Sequence, residues 1–432
     1  MKSTFKYLPM DKNNNKNYII REEFFGYTFF NRKSLRHRFV HKKDFNKILN
    51  QLGIKRNDEI FLPLKRKNVR KDIIYSPIRI YYELTLACNL RCKFCFNSAG
   101  KPRKRELTTK EIIKNLYDLK KENIINLHFT GGEFTLRPDW YTIFLEAKKL
   151  GFVISCNTNG VFLKKDTVSK LSNLNLDQIT ISIDGSKENH EKNRGRNTFA
   201  KSISSLKELH KLGANLRINT LVSKFSFNDV ESMVDLASRY VKEINFFTVV
   251  FIGRGANLES KNSVTIKEHL AMSKKINKLR TKYPRLNILH FAQVTKETSI
   301  KPEEYDEFGL KVGPPSGTTT LNVTSDGGLY CGGYIPYIDG YLCLGNVKKD
   351  NIFDVWQNSK KLEEIRIEAR KLMLFCNRCK EFINKKCQGS KYETELNRLI
   401  HPEVKNSCCV YGQGESLLKK FNAVRSLDNF KL

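Results

Sequence analysis

The 432-residue sequence predicts an α/β fold: a partial (β/α)6 barrel, with a small α+β module before it and a cysteine-rich domain after it. Three observations predict this. From Ile78 onward, short β-branched runs alternate with amphipathic stretches. Glycine- and asparagine-containing turns end the predicted strands. The 11 cysteines fall in groups, three near residue 90 and most of the rest beyond residue 330.

The chain opens on a polar run, Asp11-Lys12-Asn13-Asn14-Asn15-Lys16-Asn17, which has no period and reads as a flexible lead-in. Three strand-like runs follow at Tyr18–Arg21, Tyr27–Phe30 and Arg38–Val40. A helix is expected over Lys43–Leu52, with Phe45, Ile48, Leu49 and Leu52 on one face. Lys65–Lys71, dense in Lys and Arg, reads as a solvated linker. Predicted barrel strands are Ile78–Leu86, Asn126–Thr130, Val153–Thr158, Gln178–Asp184, Asn215–Val222 and Glu243–Ile252. Between them lie amphipathic stretches such as Lys110–Glu122, Lys164–Ser172, Phe199–Leu212 and Val230–Tyr240. Strand–helix alternation implies a parallel sheet, and sites in such sheets form at the C-terminal ends of the strands. Beyond residue 300, Gly317–Cys331 reads as a hairpin turning at Asp326-Gly327, followed by a helix over Ile352–Leu372. The expected divisions are 1–76, 77–300 and 301–432.

Composition narrows the function. No apolar run is long enough to span a membrane, and no signal peptide follows Met1, so a cytoplasmic protein is expected. In that compartment cysteines are metal ligands or reactive thiols rather than a disulfide framework. The formal net charge of +32 favours polyanionic partners such as nucleic acid, anionic membrane or an acidic peptide. The lysines are spread along the whole chain, which equally fits a surface solvated by lysine.

The chemistry concentrates after the first barrel strand, at Cys88, Cys92 and Cys95, spaced C-x3-C-x2-C. Three thiolates on so short a loop are expected to converge on one point, and soft sulfur ligands favour an iron–sulfur cluster or zinc. A three-thiolate zinc knuckle with a distant fourth ligand is the plainer alternative. With Phe94 at the aromatic position, the stretch resembles the C-x3-C-x-aromatic-C signature of the radical S-adenosylmethionine (radical SAM) enzymes. The resemblance implies a [4Fe–4S] cluster on the three cysteines, with S-adenosyl-L-methionine on the open iron, generating a 5′-deoxyadenosyl radical. It extends to four further turns in the right order. Gly131-Gly132-Glu133 would bind the cofactor's amino group, and Asn159 lies in a Thr-Asn-Gly turn. Ser182 and Asp184 would face the ribose and methionine side, and Arg194 would pair with the carboxylate. Gly253-Arg254-Gly255-Ala256 would lie near adenine.

The C-terminal third resembles the SPASM domain, which usually holds two auxiliary clusters. Cys376, Cys379, Cys387 and one of Cys408 or Cys409 match the outer set. Two expected ligands of the inner cluster are replaced, by the Pro314–Ser316 region and by Lys391, a protonated ammonium at neutral pH. One auxiliary [4Fe–4S] cluster is therefore expected, with Cys331 and Cys343 unassigned. Ile20–Tyr27 resembles part of the leader-peptide-recognition modules fused to peptide-modifying members, although it carries less helix before Pro77 than their winged-helix form. The expected function is modification of a ribosomally synthesised precursor peptide by crosslink, epimerisation or excision, with flavodoxin or ferredoxin as reducing partner. A small molecule such as a tetrapyrrole, or RNA, is the alternative substrate. A zinc-stabilised nucleic-acid-binding protein is more remote, because it leaves the turn motifs without a role.

Overall fold

A computed structural model describes residues 17–54, 59–249, 252–258, 262, 264, 266–290, 308–310, 316–333 and 342–367. The expected lead-in falls almost wholly outside the described residues. The N-terminal unit is β1 (Tyr18–Glu23), β2 (Gly26–Asn31), β3 (Arg36–His41), α1 (Phe45–Gln51) and β4 (Glu59–Leu62). These strands form one sheet of order β3-β2-β1-β4. β4, which the sequence reading did not anticipate, pairs parallel with β1 from Tyr18 opposite Glu59 to Arg21 opposite Leu62. One face packs a small core of Ile20, Phe29, Val40, Leu49 and Ile54. From the other face, Ile19, Phe30 and Leu35 join the main core of the molecule.

Arg21 joins the two units. Its buried side chain donates to Glu23 at 2.8 Å, to Ser76 Oγ at 2.8 Å and to the Ser76 carbonyl at 2.9 Å. Glu23 in turn accepts from Thr28 Oγ1 at 2.7 Å and from the Tyr75 backbone N–H at 2.8 Å. A buried charge is tolerated when it is paired and its remaining hydrogen-bonding groups are satisfied, which these contacts achieve across the junction. Residues 65–71 are largely exposed coil, as expected of a solvated linker, but two of their arginines are anchored. Arg66 meets Glu122 at 2.5 Å and lies over the Phe353 ring at 4.3 Å, and Arg70 meets Asp72 at 2.6 Å and Glu363 at 2.9 Å. The stretch is a strap holding the C-terminal helices against the barrel.

The main unit runs β5 (Arg79–Thr85), α2 (Thr109–Lys121), β6 (Asn126–Gly131), α3 (Trp140–Lys149), β7 (Val153–Thr158), α4 (Lys165–Asn173), β8 (Gln178–Ser182), α5 (Lys187–Arg194), α6 (Phe199–Lys211), β9 (Leu216–Val222), α7 (Val230–Tyr240), β10 (Glu243–Thr248), α8 (Ile266–Lys282) and β11 (Asn287–His290). Local signals fix these elements: α2, for instance, starts at a Thr108–Glu111 capping box and buries Ile112, Leu116 and Leu119. β12 (Thr320–Val323), β13 (Gly328–Tyr330), β14 (Gly345–Asn346) and α9 (Ile352–Asn358) follow. All lie on one ten-stranded sheet, β11-β10-β9-β8-β7-β6-β5-β12-β13-β14. β5 to β11 are mutually parallel, so the sheet is an open α/β barrel with one strand more than the six expected. The expected C-terminal hairpin is present as β12–β13, and β12 extends the barrel sheet by pairing parallel with β5. The single helix expected over Ile352–Leu372 is broken: α9 ends at Ser359, whose ψ of 114° is extended, and residues 360–367 resume as helix. Among the described residues no helix is long and apolar enough to cross a membrane.

Candidate metal and cofactor site

One cavity of about 670 Å³ runs along the inner face of the sheet. Cys88, Cys92 and Cys95 line its end beyond β5, with Gly131, Gly132, Asn159, Ser182 and Arg194 around them. Strand alternation produces this wall: on β5, Ile80, Tyr82 and Leu84 are buried in the core while Arg79, Tyr81 and Glu83 face the cavity.

The cysteine loop is pinned by backbone bonds on three sides. Gly132 N–H donates to the Thr85 carbonyl and Glu133 N–H to the Ala87 carbonyl, each at 2.8 Å. A Cβ on Gly132 would lie 2.1 Å from the Ala87 oxygen, so glycine is required for the close approach of the two loops. From α5, the Asn193 carbonyl accepts from Lys93 N–H at 2.9 Å and its side-chain oxygen from Phe94 N–H at 3.3 Å. From beyond β10, Arg254 donates to the Cys92 carbonyl at 2.9 Å and the Ala99 carbonyl at 2.8 Å. Gly253 sits at φ +58°, where a Cβ would meet the Phe96 oxygen at 2.3 Å. This segment clamps the cysteine loop, and Arg254 also lines the cavity.

All three thiols are free and half-buried. Burial pushes the Cys88 thiol up to about 11, against the Leu90 N–H that donates to its sulfur at 3.4 Å. Burial also pushes Cys92 up. Such thiols stay protonated until a metal replaces the proton. They line one cavity wall within electrostatic reach of one another, and among the described residues no three cysteine, histidine or carboxylate groups gather round a single-ion position. Separate thiolates, each on its own iron, are what a four-iron cluster takes.

The two carboxylates expected to touch the cofactor stand behind the wall. Glu133 is buried, accepting from Thr158 Oγ1 at 2.9 Å and 3.0 Å, from Asn159 N–H at 2.8 Å and from Thr135 Oγ1 at 3.0 Å. Burial pushes its pKa up. It holds the Thr158–Asn159 turn, and Asn159 Nδ2 then donates to Asn89 Oδ1 of the cysteine loop at 2.9 Å. Asp184 accepts from Arg194 at 2.6 and 3.1 Å, from Asn193 Nδ2 at 2.6 Å and from Leu221 N–H at 3.0 Å. Burial alone would raise the Asp184 carboxyl, but the adjoining Arg194 guanidinium outweighs it and holds the pKa low. Arg194 is thus ion-paired inside the protein while one side faces the cavity.

Sequence reasoning missed Asn193 and Asn97. Asn97 Oδ1 accepts from the Cys95 thiol at 2.8 Å and its Nδ2 donates to the Gly131 carbonyl at 3.1 Å. Nothing in a lone asparagine two residues beyond a cysteine marks that bridge; Asn193 could have been suspected from its place beside Arg194. Cys156 and Cys331 are buried in the core, and the half-buried Cys343 donates to the Gly345 carbonyl at 3.1 Å. Cys376, Cys379, Cys387, Lys391, Cys408 and Cys409 lie outside the described residues.

Three free thiols at one end of a cavity walled by glycines fit a four-iron cluster with one iron left for a small chelating cofactor. The fold and this donor set define an iron–sulfur protein on an open α/β barrel. Residues 82–237 match the model of the Radical SAM superfamily, and residues 315–380 match SPASM, an iron–sulfur cluster-binding domain. The chain thus carries a radical SAM domain followed by a SPASM domain; it is a radical SAM enzyme, and its cofactors are a [4Fe–4S] cluster with S-adenosylmethionine and auxiliary iron–sulfur binding in the SPASM domain. It is similar to mycofactocin maturase MftC of Mycolicibacterium smegmatis, 26% identical over 359 residues that span 80% of this chain and 86% of that protein. It is also similar to the AdoMet-dependent heme synthase of Methanosarcina barkeri, 26% identical over 332 residues, 73% of this chain and 91% of that one. The fold is shared with Streptococcus suis SuiB bound to its precursor peptide SuiA, at TM-score 0.66 and 16% identity over 81% of this chain and 89% of that chain.

Asp184→Asn should leave Arg194 buried without its counter-charge and slacken α5 beneath the cysteine loop. The expected cost is about 3–5 kcal/mol of stability, read by urea unfolding, together with reduced iron uptake on anaerobic reconstitution. Unchanged unfolding and iron uptake would remove Asp184 from this role.

Proposed function

We propose that this enzyme matures a ribosomally synthesised precursor peptide. The observation that carries the reading is the similarity to a peptide maturase along most of both chains, through the barrel and into the SPASM domain. The fold shared with SuiB in complex with its precursor supports it. When bound, the cluster and S-adenosylmethionine supply the 5′-deoxyadenosyl radical that abstracts hydrogen from the substrate.

The protein's own residues then have separable tasks. Cys88, Cys92 and Cys95 hold the cluster. Asn159, Ser182 and Arg194 face the cavity and orient the cofactor's polar groups, with Gly131 and Gly132 closing the wall beneath. Glu133 and Asp184 are positioning residues, fixing Asn159 and Arg194 from behind. The open edges of the N-terminal sheet, β3 and β4, offer a place for a leader peptide to add as a strand, and Phe61 on β4 is 47% exposed there. On this reading residues 1–76 recognise the leader, 77–300 form the reaction barrel and 301–432 the SPASM domain. The domain carries one auxiliary cluster on Cys376, Cys379, Cys387 and one of Cys408 or Cys409. A cytoplasmic flavodoxin or ferredoxin supplies the electron. The similarity to a heme synthase favours a tetrapyrrole as the second reading.

The test is co-expression with a candidate precursor, a short peptide sought in the reading frames beside the gene. A mass change in that peptide, dependent on Cys88, Cys92 and Cys95, is the expected result, from a protein that reconstitutes to about eight irons, four per cluster. An unaltered peptide together with turnover of an added porphyrin precursor would move the assignment to the second reading. About twelve irons would contradict the single auxiliary cluster.

A further inference from the structure

The cavity has a second end, away from the cysteines. Arg36, Arg79, Arg217 and Glu243 line it. Arg79 and Glu243 begin β5 and β10, and Arg217 is the second residue of β9. A strand rises about 3.3 Å per residue, so Arg79 lies about 20 Å below Thr85 and deeper still below the cysteines. The turn between β2 and β3 closes this floor. Leu35 there is buried, and its carbonyl accepts from Arg79 Nη2 at 2.9 Å, while Asn126 Oδ1 holds Arg79 Nε at 2.5 Å.

The floor is cationic and incompletely satisfied. Among the described residues, the Arg79 and Arg217 guanidiniums face one carboxylate, Glu243, so positive charge is in excess. Glu243 approaches Arg217 at 3.2 Å, and Asn287 Nδ2 occupies its other oxygen. Glu83, higher on β5, is already engaged by Arg103 and Ser325. Burial, with Arg79 and Arg217 nearby, pushes His128 down to about 3, so it adds no charge at neutral pH. Arg217 Nε donates no well-aligned hydrogen bond and its Nη1 reaches Gln178 Oε1 only at 3.5 Å, while Asn157 Oδ1 and Asn219 Oδ1 are buried with no hydrogen-bond partner among the described residues. All three residues line this cavity. Either asparagine amide can turn to present N–H instead of oxygen. Buried polar groups left open in this way are costly unless something completes them.

We propose that the barrel floor is a carboxylate-binding subsite, in which Arg217 and Arg79 seat an acid group of the substrate and Asn157 and Asn219 complete its hydrogen bonds. A planar guanidinium presents paired N–H groups that match a carboxylate. The proposal rests on the peptide reading and adds a substrate feature: an acidic side chain or a free C-terminus, held a barrel's depth from the cysteine end.

Calorimetry on the reconstituted holoenzyme at low salt tests it with four probes. N-acetyl-Ala-Ala is compared with its C-terminal amide, and N-acetyl-glutamate α-amide with N-acetyl-glutamine α-amide. The expected result is a preference of about tenfold or more for the acid in one pair, and the pair that shows it identifies the source of the carboxylate. Arg217→Gln should abolish that preference and Arg217→Lys should retain part of it. Equal binding of acid and amide in both pairs by the wild type would overturn the subsite without recourse to any variant. So would inorganic phosphate binding more tightly than either acid. Modification of the co-expressed peptide would stand in either event, so failure here is distinguishable from failure of the peptide assignment.

Discussion

The site depends on one buried carboxylate. Asp184 ties the end of β8 to β9 through Leu221 N–H and ties both to α5 through Asn193 and Arg194. α5 in turn carries the Asn193 contacts that fix the backbone of Lys93 and Phe94, between Cys92 and Cys95. A carboxylate in a buried position is stable only when it is paired and hydrogen-bonded, and here four donors supply that. Arg194 does two things at once: it neutralises Asp184 and turns an edge of its guanidinium to the cavity. Glu133 works in the same manner on the other side, through Thr158 and Asn159. The wall is therefore preorganised by charges that do not themselves touch the cavity.

The second constraint is the junction at Arg21. Because Ile19, Phe30 and Leu35 belong to the main core, and Arg21 and Glu23 bond to Ser76 and Tyr75, the N-terminal sheet is fused to the barrel. Its β2–β3 turn forms the cavity floor, and among the described residues no further strand pairs with its edges, β3 and β4. Closure of the cavity floor thus falls to one turn of this small sheet. The C-terminal hairpin closes the other flank through β12 on β5 and through Ser325, which bonds to Glu83.

Much of the barrel was legible because its signals are local. β7 and α7 were read to the residue from hydrophobic period alone. β4 was not: four residues, Glu59–Leu62, become a strand only by pairing with β1 some forty residues earlier. β11 was missed for the same reason, since Asn287–His290 is equally short and is ordered by β10. The break at Ser359 interrupts an amphipathic pattern that continues on both sides, so periodicity could not reveal it. At the site, the motifs gave the positions of Glu133 and Asp184 but not that both are buried behind the cavity wall. A carboxylate beside a glycine reads alike whether it points at a ligand or at the next loop, and only the threading of β6 and β8 decides. The polar inner faces of β5 and β9 were present in the alternation of their residues, but their meaning as a cavity needed the curvature of the sheet.

The central claim is that Cys88, Cys92 and Cys95 hold the reactive cofactor at the C-terminal end of this sheet. It is tested most directly by giving the anaerobically reconstituted protein S-adenosylmethionine and dithionite and measuring 5′-deoxyadenosine. The account predicts formation by the wild type and none by the variant with all three cysteines replaced by alanine, while that variant keeps its C-terminal iron. Formation of 5′-deoxyadenosine by the triple variant would contradict it.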